Sequence, residues 1–300
     1  MFLPLVYFVL YMEKVQTGFV IEFYSNACLV RTKDADIPCI AIKDIVVGDV
    51  VKIEIVQDSK ETKGLILSKE NRKSALHKKE GLKSKTIAAN VTYVGIMVTQ
   101  EPKTSSEFID KWILTSLLSN IRPFIINNKI DLEPNEAYIE KLNIYRDLDI
   151  KIISISAKNN ININEIKEYL EGKCVVFVGN SGAGKSTLTN CLTGKNIKTN
   201  SLSNNQGVHT TSISTLYEVE KNIRIIDSPG VRDLPITGWR RNQIIKGFVE
   251  LHRLSERCKF NDCNHSNNEG CAILNALGNG EISKSRYNNF IKFRDAEESE

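Results

Sequence analysis

One nine-residue segment constrains the fold of this chain more than any other feature. A β-branched run, Val175–Val178, leads into Gly179–Thr187, which contains the pattern G-x-x-x-x-G-K-S. Glycines let the backbone N–H groups of such a loop turn toward phosphate oxygens without a Cβ clash. The helix that follows would point its positive end at the same charge. The segment therefore predicts a phosphate-binding loop between a strand and a helix of an α/β domain.

The chemistry of this loop assigns roles to individual side chains. Lys185 is expected to reach the β- and γ-phosphates and to take part in catalysis, and Ser186 is expected to ligate Mg²⁺. The whole loop is predicted to contact the nucleotide: Gly179, Asn180, Ser181, Gly182, Ala183, Gly184, Lys185, Ser186 and Thr187.

A second motif predicts which base is bound. Asn128, Lys129, Ile130 and Asp131 follow the apolar run Phe124–Ile126. The Asp131 carboxylate can accept hydrogen bonds from the ring N–H and the exocyclic amine of guanine, which adenine does not offer in that arrangement. This disfavours an ATP-dependent P-loop kinase. A further tripeptide follows the predicted strand Ile152–Ile155 and supplies the usual second contact to guanine, in which the Ala157 N–H donates to the base oxygen: Ser156, Ala157 and Lys158.

Switch elements follow the phosphate loop. Ile223–Ile226 runs into a D-x-x-G motif, in which Asp227 is expected to hold Mg²⁺ through water and the Gly230 N–H to sense the γ-phosphate. Thr210 or Thr211 is expected to close on the nucleotide, and we favour Thr211, which completes the predicted Mg²⁺ set of Ser186, Thr211 and Asp227.

The water-orienting glutamine of Ras-like enzymes is missing. Val231 stands at its position, so intrinsic hydrolysis is expected to be slow. His209, beside the switch threonines, is a candidate for orienting the attacking water, although an isolated histidine can also be incidental.

The order of these motifs is shifted. Ordinary GTPases run from the phosphate loop through the switch threonine and D-x-x-G to N-K-x-D and S-A-K, whereas here the last two come first. About twenty residues, Asn159–Val178, would join the former chain ends, which suits domains whose termini lie close together. A circularly permuted GTPase domain accounts for all five motifs.

A cysteine and histidine cluster lies near the C-terminus. Cys258, Cys263, His265 and Cys271 provide three thiolates and one imidazole within fourteen residues. This is a complete tetrahedral Zn²⁺ set, which leaves no position for catalysis, so we predict one structural zinc ion. The other cysteines are isolated and suit a reducing cytoplasm.

The N-terminal third has a different character. Phe19–Phe23, Cys28–Arg31 and Val50–Val56 are predicted strands separated by turn signals, and about five short strands in 60 residues indicate a small barrel. The sequence does not distinguish an oligonucleotide-binding (OB) barrel from an SH3-like barrel. Further along, buried strands alternate with helical segments such as Leu142–Arg146 and Ile163–Leu170, which predicts a mainly parallel α/β domain.

Together these features predict a multidomain chain with a small OB-type β-barrel, an α/β P-loop GTPase domain with circularly permuted motifs, and a C-terminal helical zinc-binding module. The expected division is an apolar extension at residues 1–11, the barrel at 12–70, a basic linker at 71–86, the GTPase domain at 87–236 and the zinc module at 237–300.

Charge and hydropathy limit the partners. A formal net charge of +4 is too small to indicate nucleic acid by itself, but Lys69–Lys85 contains seven Lys or Arg and two acids. This stretch suits either a solvated linker or an RNA-phosphate contact. Met1–Tyr11 is too short for a membrane span, and we interpret it as an over-extended start or else an extra strand, with a membrane anchor least favoured.

The combined pattern closely resembles the ribosome small subunit-dependent GTPase A family, which are circularly permuted GTPases. Besides the motifs above, the resemblance rests on Val47-Gly48-Asp49, Arg72-Lys73-Ser74, Ala89-Asn90-Val91 and Arg286-Tyr287. Two departures are the apolar extension and the serines at 212 and 228, where the family often has threonine.

The resemblance implies an OB barrel, a permuted GTPase core and a zinc module that dock on the small ribosomal subunit and its rRNA. It also implies that the subunit stimulates hydrolysis of GTP to GDP and that the matured particle is then released. We accordingly expect a cytoplasmic monomer with no membrane partner. The alternative is an RNA-binding module that GTP regulates with negligible turnover.

Overall fold

The computed structural model describes residues 15–24, 26–57, 62–80, 83–194, 214–228, 239 and 241–296. Two compact units are present. The barrel unit comprises Met1–Thr92, Leu170–Val176 and Lys195–Leu234, and the P-loop unit comprises Tyr93–Tyr169, Phe177–Gly194 and Pro235–Glu300. Within the described ranges, no helix has both the length and the apolar character that crossing a membrane requires. The extension Met1–Tyr11 lies outside these ranges.

The strands, in chain order, are β1 (Val15–Phe23), β2 (Ala27–Arg31), β3 (Asp36–Ile40), β4 (Val50–Gln57), β5 (Thr62–Lys69), β6 (Ala75–Glu80), β7 (Lys83–Ala89), β8 (Tyr93–Val98), β9 (Arg122–Asn128), β10 (Ile152–Ile155), β11 (Cys174–Val178), β12 (Ser214–Val219) and β13 (Ile223–Asp227). The helices are α1 (Ser106–Leu118), α2 (Glu136–Arg146), α3 (Ile163–Tyr169), α4 (Lys185–Thr193), α5 (Arg241–Ile244), α6 (Val249–Ser255), α7 (Ala272–Gly278) and α8 (Lys284–Ala296). The strands and helices named from the sequence are confirmed.

The first five strands close into a barrel. Antiparallel pairs join β1 to β2, β2 to β3, β4 to β5 and β1 to β4, whereas β3 and β5 run parallel. Pairing of β1 with β4 closes the five-stranded ring. Of the two barrel types that the sequence did not distinguish, this arrangement fits the OB type. Side chains that alternate along the strands fill the interior, including Val20, Val30, Val51, Ile53 and Ile66.

The rest of the barrel unit extends this structure. β1 pairs with β12, β12 pairs antiparallel with β13, and β13 runs parallel to β11. The segment predicted as a basic linker, residues 71–86, contains β6 and the beginning of β7, and these two strands pair as an antiparallel hairpin.

The P-loop unit contains a parallel sheet with helical connections. Ile96 pairs with Ile125, and Ile126 pairs with Ile153, so β8, β9 and β10 run in one direction. β8 is buried along its whole length, as expected for a strand covered on both faces. The predicted α/β architecture is therefore confirmed.

Helix α1 covers this sheet with one buried face. The apolar Ile109, Trp112 and Ile113 are buried there at i, i+3 and i+4, and Ser116 follows at i+7. The helix begins at Ser105, whose hydroxyl accepts the Phe108 N–H at 3.2 Å.

The C-terminal helices α5 to α8 form a second hydrophobic core in the same unit. Leu114 of α1 packs into this core with Phe248, Leu251, Phe290 and Phe293. The helical character predicted beyond Trp239 is confirmed, and the shared core attaches the C-terminal helices to α1.

Candidate nucleotide and metal sites

Three predicted nucleotide-binding loops belong to the P-loop unit, and each follows a β-strand. Asn128–Asp131 begins at the end of β9, Ser156–Lys158 follows β10, and Gly179–Thr187 follows β11. In parallel sheets, ligands bind beyond the carboxyl ends of the strands. The chain order of these loops is permuted, but the sheet brings them to one place.

Asn128 joins the three loops. Its side chain is buried, with 4% of its surface exposed. Nδ2 donates to the Ala183 carbonyl of the phosphate loop at 2.8 Å, and Oδ1 accepts the Ala157 N–H at 3.0 Å. Asn128 therefore fixes the spacing between the predicted base reader and the phosphate loop.

The Asp131 carboxylate is oriented by Ser156. The Ser156 hydroxyl donates to Asp131 Oδ1 at 2.6 Å while its oxygen accepts the Asn159 N–H at 3.2 Å. The hydrogen bond from Ser156 lowers the pKa of the Asp131 carboxyl. Oδ2 remains as the second acceptor of an ionised, solvent-exposed carboxylate.

The phosphate loop has the backbone that its glycines permit. Gly184 has a φ of 97°, and a Cβ there would lie 2.4 Å from Asn128 Nδ2, so another residue would break the contact between the loops. Gly184 precedes the first residue of α4. The Lys185 ammonium donates to the carbonyls of Gly179 and Asn180, at 2.6 and 2.9 Å.

Two further groups at this site were not predicted from the sequence. The segment after β8 borders both loops, since Lys129 Nζ donates to the Glu101 carbonyl at 2.7 Å and Asn180 Nδ2 donates to the Lys103 carbonyl at 3.2 Å. The Cys191 thiol of α4 donates to the Ala157 carbonyl at 3.1 Å. The sequence carries no signal for either, because both contacts use backbone carbonyls far along the chain.

The remaining predicted nucleotide residues are not part of these three loops. Asp227 is exposed at the end of β13 in the barrel unit, and Ser228 after it is buried, with its hydroxyl 2.8 Å from that of Ser214. Four predicted residues lie outside the described residues: His209, Thr210, Thr211 and Gly230. The proposed Mg²⁺ set of Ser186, Thr211 and Asp227 therefore stays a prediction.

Part of the basic stretch has an internal role. Arg72 donates to both oxygens of the fully buried Asp49 at 2.7 and 2.8 Å, and Lys69 pairs with Asp44 at 2.7 Å. Arg72 also donates to the Thr86 hydroxyl of the hairpin at 3.2 Å. Arg72 therefore joins the barrel to the hairpin, and Lys69 is paired within the barrel, so neither cation is free to bind phosphate.

The predicted zinc ligands come together in the P-loop unit. The ligand atoms of Cys258, Cys263, His265 and Cys271 all lie within 4.8 Å of one another. His265 Nδ1 is 3.6 Å from Cys258 Sγ and 3.7 Å from Cys271 Sγ. A tetrahedral zinc ion with ordinary bond lengths would separate S and N by about 3.6 Å. Burial raises the pKa of Cys271 to about 11, which a bound cation would counteract. The donor set and its spacing fit one zinc ion.

Comparison with known proteins identifies the family. The profile of the RsgA GTPase family matches residues 69–237, which is more than half of the chain and contains all the nucleotide motifs. The chain belongs to the RsgA GTPase family. Membership makes it a GTP-hydrolysing enzyme. A relative from Flavobacterium johnsoniae, named small ribosomal subunit biogenesis GTPase RsgA, is 35% identical over 264 residues, covering 85% of this chain and 81% of the relative.

Two solved structures share the fold of this chain. The crystal structure of YjeQ from Thermotoga maritima is 29% identical and superposes with a TM-score of 0.74, covering 94% of this chain and 98% of that one. The structure of YloQ, described as a circularly permuted GTPase, is 19% identical and has a TM-score of 0.73, with 95% of this chain and 96% of that one covered. The permuted architecture expected from the motif order is thus confirmed.

Proposed function

We propose that this GTPase acts on the small ribosomal subunit during its late maturation, and that the three loops joined by Asn128 form its guanine nucleotide site. The observation that carries the proposal is a pair of hydrogen bonds, one donated by Asn128 to the Ala183 carbonyl and one accepted by Asn128 from the Ala157 N–H. They support the proposal because they join the loop that carries Asp131, the proposed guanine-reading carboxylate, to the phosphate loop. The name of the Flavobacterium relative supplies the partner.

The nucleotide site would work by positioning. Asp131 would accept the two N–H groups of guanine, and the backbone of the phosphate loop would surround the phosphates. The Lys185 ammonium donates to carbonyls of its own loop. With nucleotide bound, it would donate to the β- and γ-phosphate oxygens instead.

Metal ions complete the proposal. Ser186, Thr211 and Asp227 would hold Mg²⁺, which neutralises phosphate charge during transfer. The Cys258, Cys263, His265 and Cys271 cluster would hold one structural zinc ion, for which its donor set and spacing are the support.

Hydrolysis would depend on the ribosomal partner. Val231 stands where Ras-like enzymes carry a water-orienting glutamine, so we propose that the subunit brings His209 into use for this task. The protein would act as a monomer in the cytoplasm, where its proposed partner is assembled.

The decisive experiment measures phosphate release from GTP with and without purified small subunits. We expect the subunits to stimulate turnover roughly 10-fold or more, and large subunits to have no such effect. Stimulation should fall as salt rises if phosphate contacts dominate docking. Tight GTP binding without turnover in either condition would instead support the GTP-regulated RNA-binding module.

His209→Ala, assayed in parallel, separates the catalytic role from the function as a whole. It should abolish stimulated turnover and leave GTP affinity unchanged, with His252→Ala on α6 as the matched control. Normal stimulation in His209→Ala would remove the histidine from the mechanism but leave the GTPase proposal intact.

A further inference from the structure

We propose that Tyr287 and Arg294 of α8 are positioning residues for the metal site: they hold the backbone around His265 so that its imidazole faces the three thiols. The inference rests on the proposed zinc site and assigns a role to residues that do not touch the metal.

One face of α8 lies against the metal loop. Tyr287, Phe290 and Arg294 stand at i, i+3 and i+7, which places them in one row along the helix. The Phe290 ring lies 6.2 Å from the His265 ring, centroid to centroid, and the Arg294 guanidinium lies 5.8 Å from the Phe290 ring. The side chains of this row therefore pack on the ligand and on one another.

The two polar members of the row bind three consecutive loop residues. The Tyr287 hydroxyl donates to the His265 carbonyl at 2.8 Å. Arg294 donates through one terminal nitrogen to the Asn264 carbonyl and through the other to the Ser266 hydroxyl, the latter at 2.9 Å. The loop is thus held on both sides of the histidine as well as at the histidine itself.

The conformation of His265 explains why such support is needed. His265 has a φ of 58°, in the left-handed region that is unfavourable for a residue with a Cβ. Within the loop, the Asn264 side chain accepts the Ser266 N–H at 3.0 Å, which supports this turn from inside. Tyr287 and Arg294 add support from outside, so the free energy of metal binding need not be used to order the loop.

Arg294 is buried, as expected of a residue that holds the loop in place and not of a surface cation. It is 6% exposed, and each of its three donor nitrogens has a partner, the third being Asp295 at 2.7 Å. Burying a guanidinium costs free energy unless its donors are paired. The planar guanidinium reaches two loop groups at once, which the single ammonium of a lysine could not do. The helix is itself anchored, because Arg286 binds Asp110 of α1 and Glu250 of α6.

The test compares zinc affinity among full-length variants by competition with a chromophoric chelator, with zinc content measured on the purified proteins. Tyr287→Phe should weaken zinc binding about 10-fold, and Arg294→Met about 10- to 100-fold. Lys292→Met is the matched control, since Lys292 lies on the same helix, is largely exposed and pairs with Glu107. It should bind zinc as the wild type does.

Each outcome decides one question. If Tyr287→Phe and Arg294→Met bind zinc as tightly as Lys292→Met, the positioning role is wrong. If the wild type takes up no zinc, the zinc site itself is wrong, which the wild-type arm reveals separately. Tyr287→Phe keeps its ring in the core and removes only the hydroxyl, so it decides the test should Arg294→Met fail to fold. A role in packing alone would lower thermal stability equally with and without zinc and leave the affinity unchanged.

Discussion

Replacing Asp131 with asparagine should turn the protein from a guanine-binding into a xanthine-binding protein. The Ser156 hydroxyl donates to Asp131 Oδ1 and accepts the Asn159 N–H. In the variant, we expect the amide oxygen to face Ser156, because it can accept the hydroxyl proton as Oδ1 does. The amide nitrogen then takes the place of Oδ2, so a donor stands where guanine also presents a donor.

The expected loss is large because one hydrogen bond to a charged group disappears and a repulsive contact replaces it. GTP affinity should fall about 100-fold or more. Xanthosine triphosphate should gain affinity, since its ring carbonyl can accept from the new amide. The measurement is competition among GTP, xanthosine triphosphate and ATP for a fluorescent nucleotide analogue.

Asp147→Asn is the matched control. It makes the same change in charge at an exposed residue that follows α2 and precedes β10. Asp147 thus lies toward the amino ends of the parallel strands, whereas the loops follow their carboxyl ends. It should leave all three affinities unchanged. If Asp131→Asn binds the nucleotides with the wild-type order of preference, Asp131 does not read the base.

The sequence was sufficient for the loops because their chemistry fixes their residue types and spacing. A phosphate cradle needs Gly182 and Gly184 at left-handed positions, with φ of 76° and 97°, and a guanine reader needs a carboxylate directly after a strand. Such requirements are local, so they leave a local signature. The contacts that join the loops, from Asn128 to Ala183 and Ala157, span 55 and 29 residues and leave none.

The same distinction holds for the barrel. β1, β2 and β4 were recognisable from their apolar β-branched runs, but β3 contains Pro38 and β5 contains Gly64, which both weaken a strand pattern. The OB type depends on the parallel pairing of β3 with β5 and on closure between β1 and β4. Pairing between distant strands is a tertiary property, which is why the sequence did not distinguish an OB barrel from an SH3-like barrel.

Charge was the least predictable feature. Arg72 and Lys69 belong to a run that suggested exposed basic charge, yet both are paired with aspartates of the barrel. Arg286 was noted only for its resemblance to the family. Its partner Asp110 lies 176 residues away in α1, in a segment for which the sequence indicated nothing.

Removing the Arg286 guanidinium should destabilise the fold strongly, because Arg286 is the centre of a buried network. Arg286 and Asp110 are 1% and 0% exposed, and Arg286 donates to Asp110 at 2.8 Å and to both oxygens of Glu250 at 2.8 and 2.9 Å. Tyr145 and Asn289 also donate to Asp110, at 2.8 and 2.6 Å. Arg286→Met removes the guanidinium, which lies 4.5 Å from the centre of the Phe248 ring, and leaves the buried carboxylate without its counter-ion.

Arg286→Met should lower the free energy of unfolding by about 3–5 kcal/mol near neutral pH. Burial raises the pKa of Asp110, and Arg286, Asn289 and Tyr145 oppose that rise in the wild type. Without Arg286, only Asn289 and Tyr145 oppose the effect of burial, so the pKa of Asp110 in the folded state rises further above its unfolded value. A carboxyl whose pKa is higher folded than unfolded stabilises the fold below its unfolded pKa of about 3.9, and this contribution is lost as pH rises through the folded pKa. The deficit relative to the wild type should therefore be larger at pH 8 than at pH 5, as measured by urea unfolding.

Two further variants make the prediction specific to the charge. Asp110→Asn combined with Arg286→Met replaces the uncompensated carboxylate with a neutral amide, so the double variant should be more stable than Arg286→Met alone and should lose its pH dependence. Arg253→Met makes the same substitution at an exposed position of α6 and should cost little. If Arg286→Met is no less stable than Arg253→Met, or if the double variant is no better than the single one, Arg286 contributes packing and not charge compensation. The attachment of α8 to α1 would then rest on the shared hydrophobic core around Leu114 and Phe290.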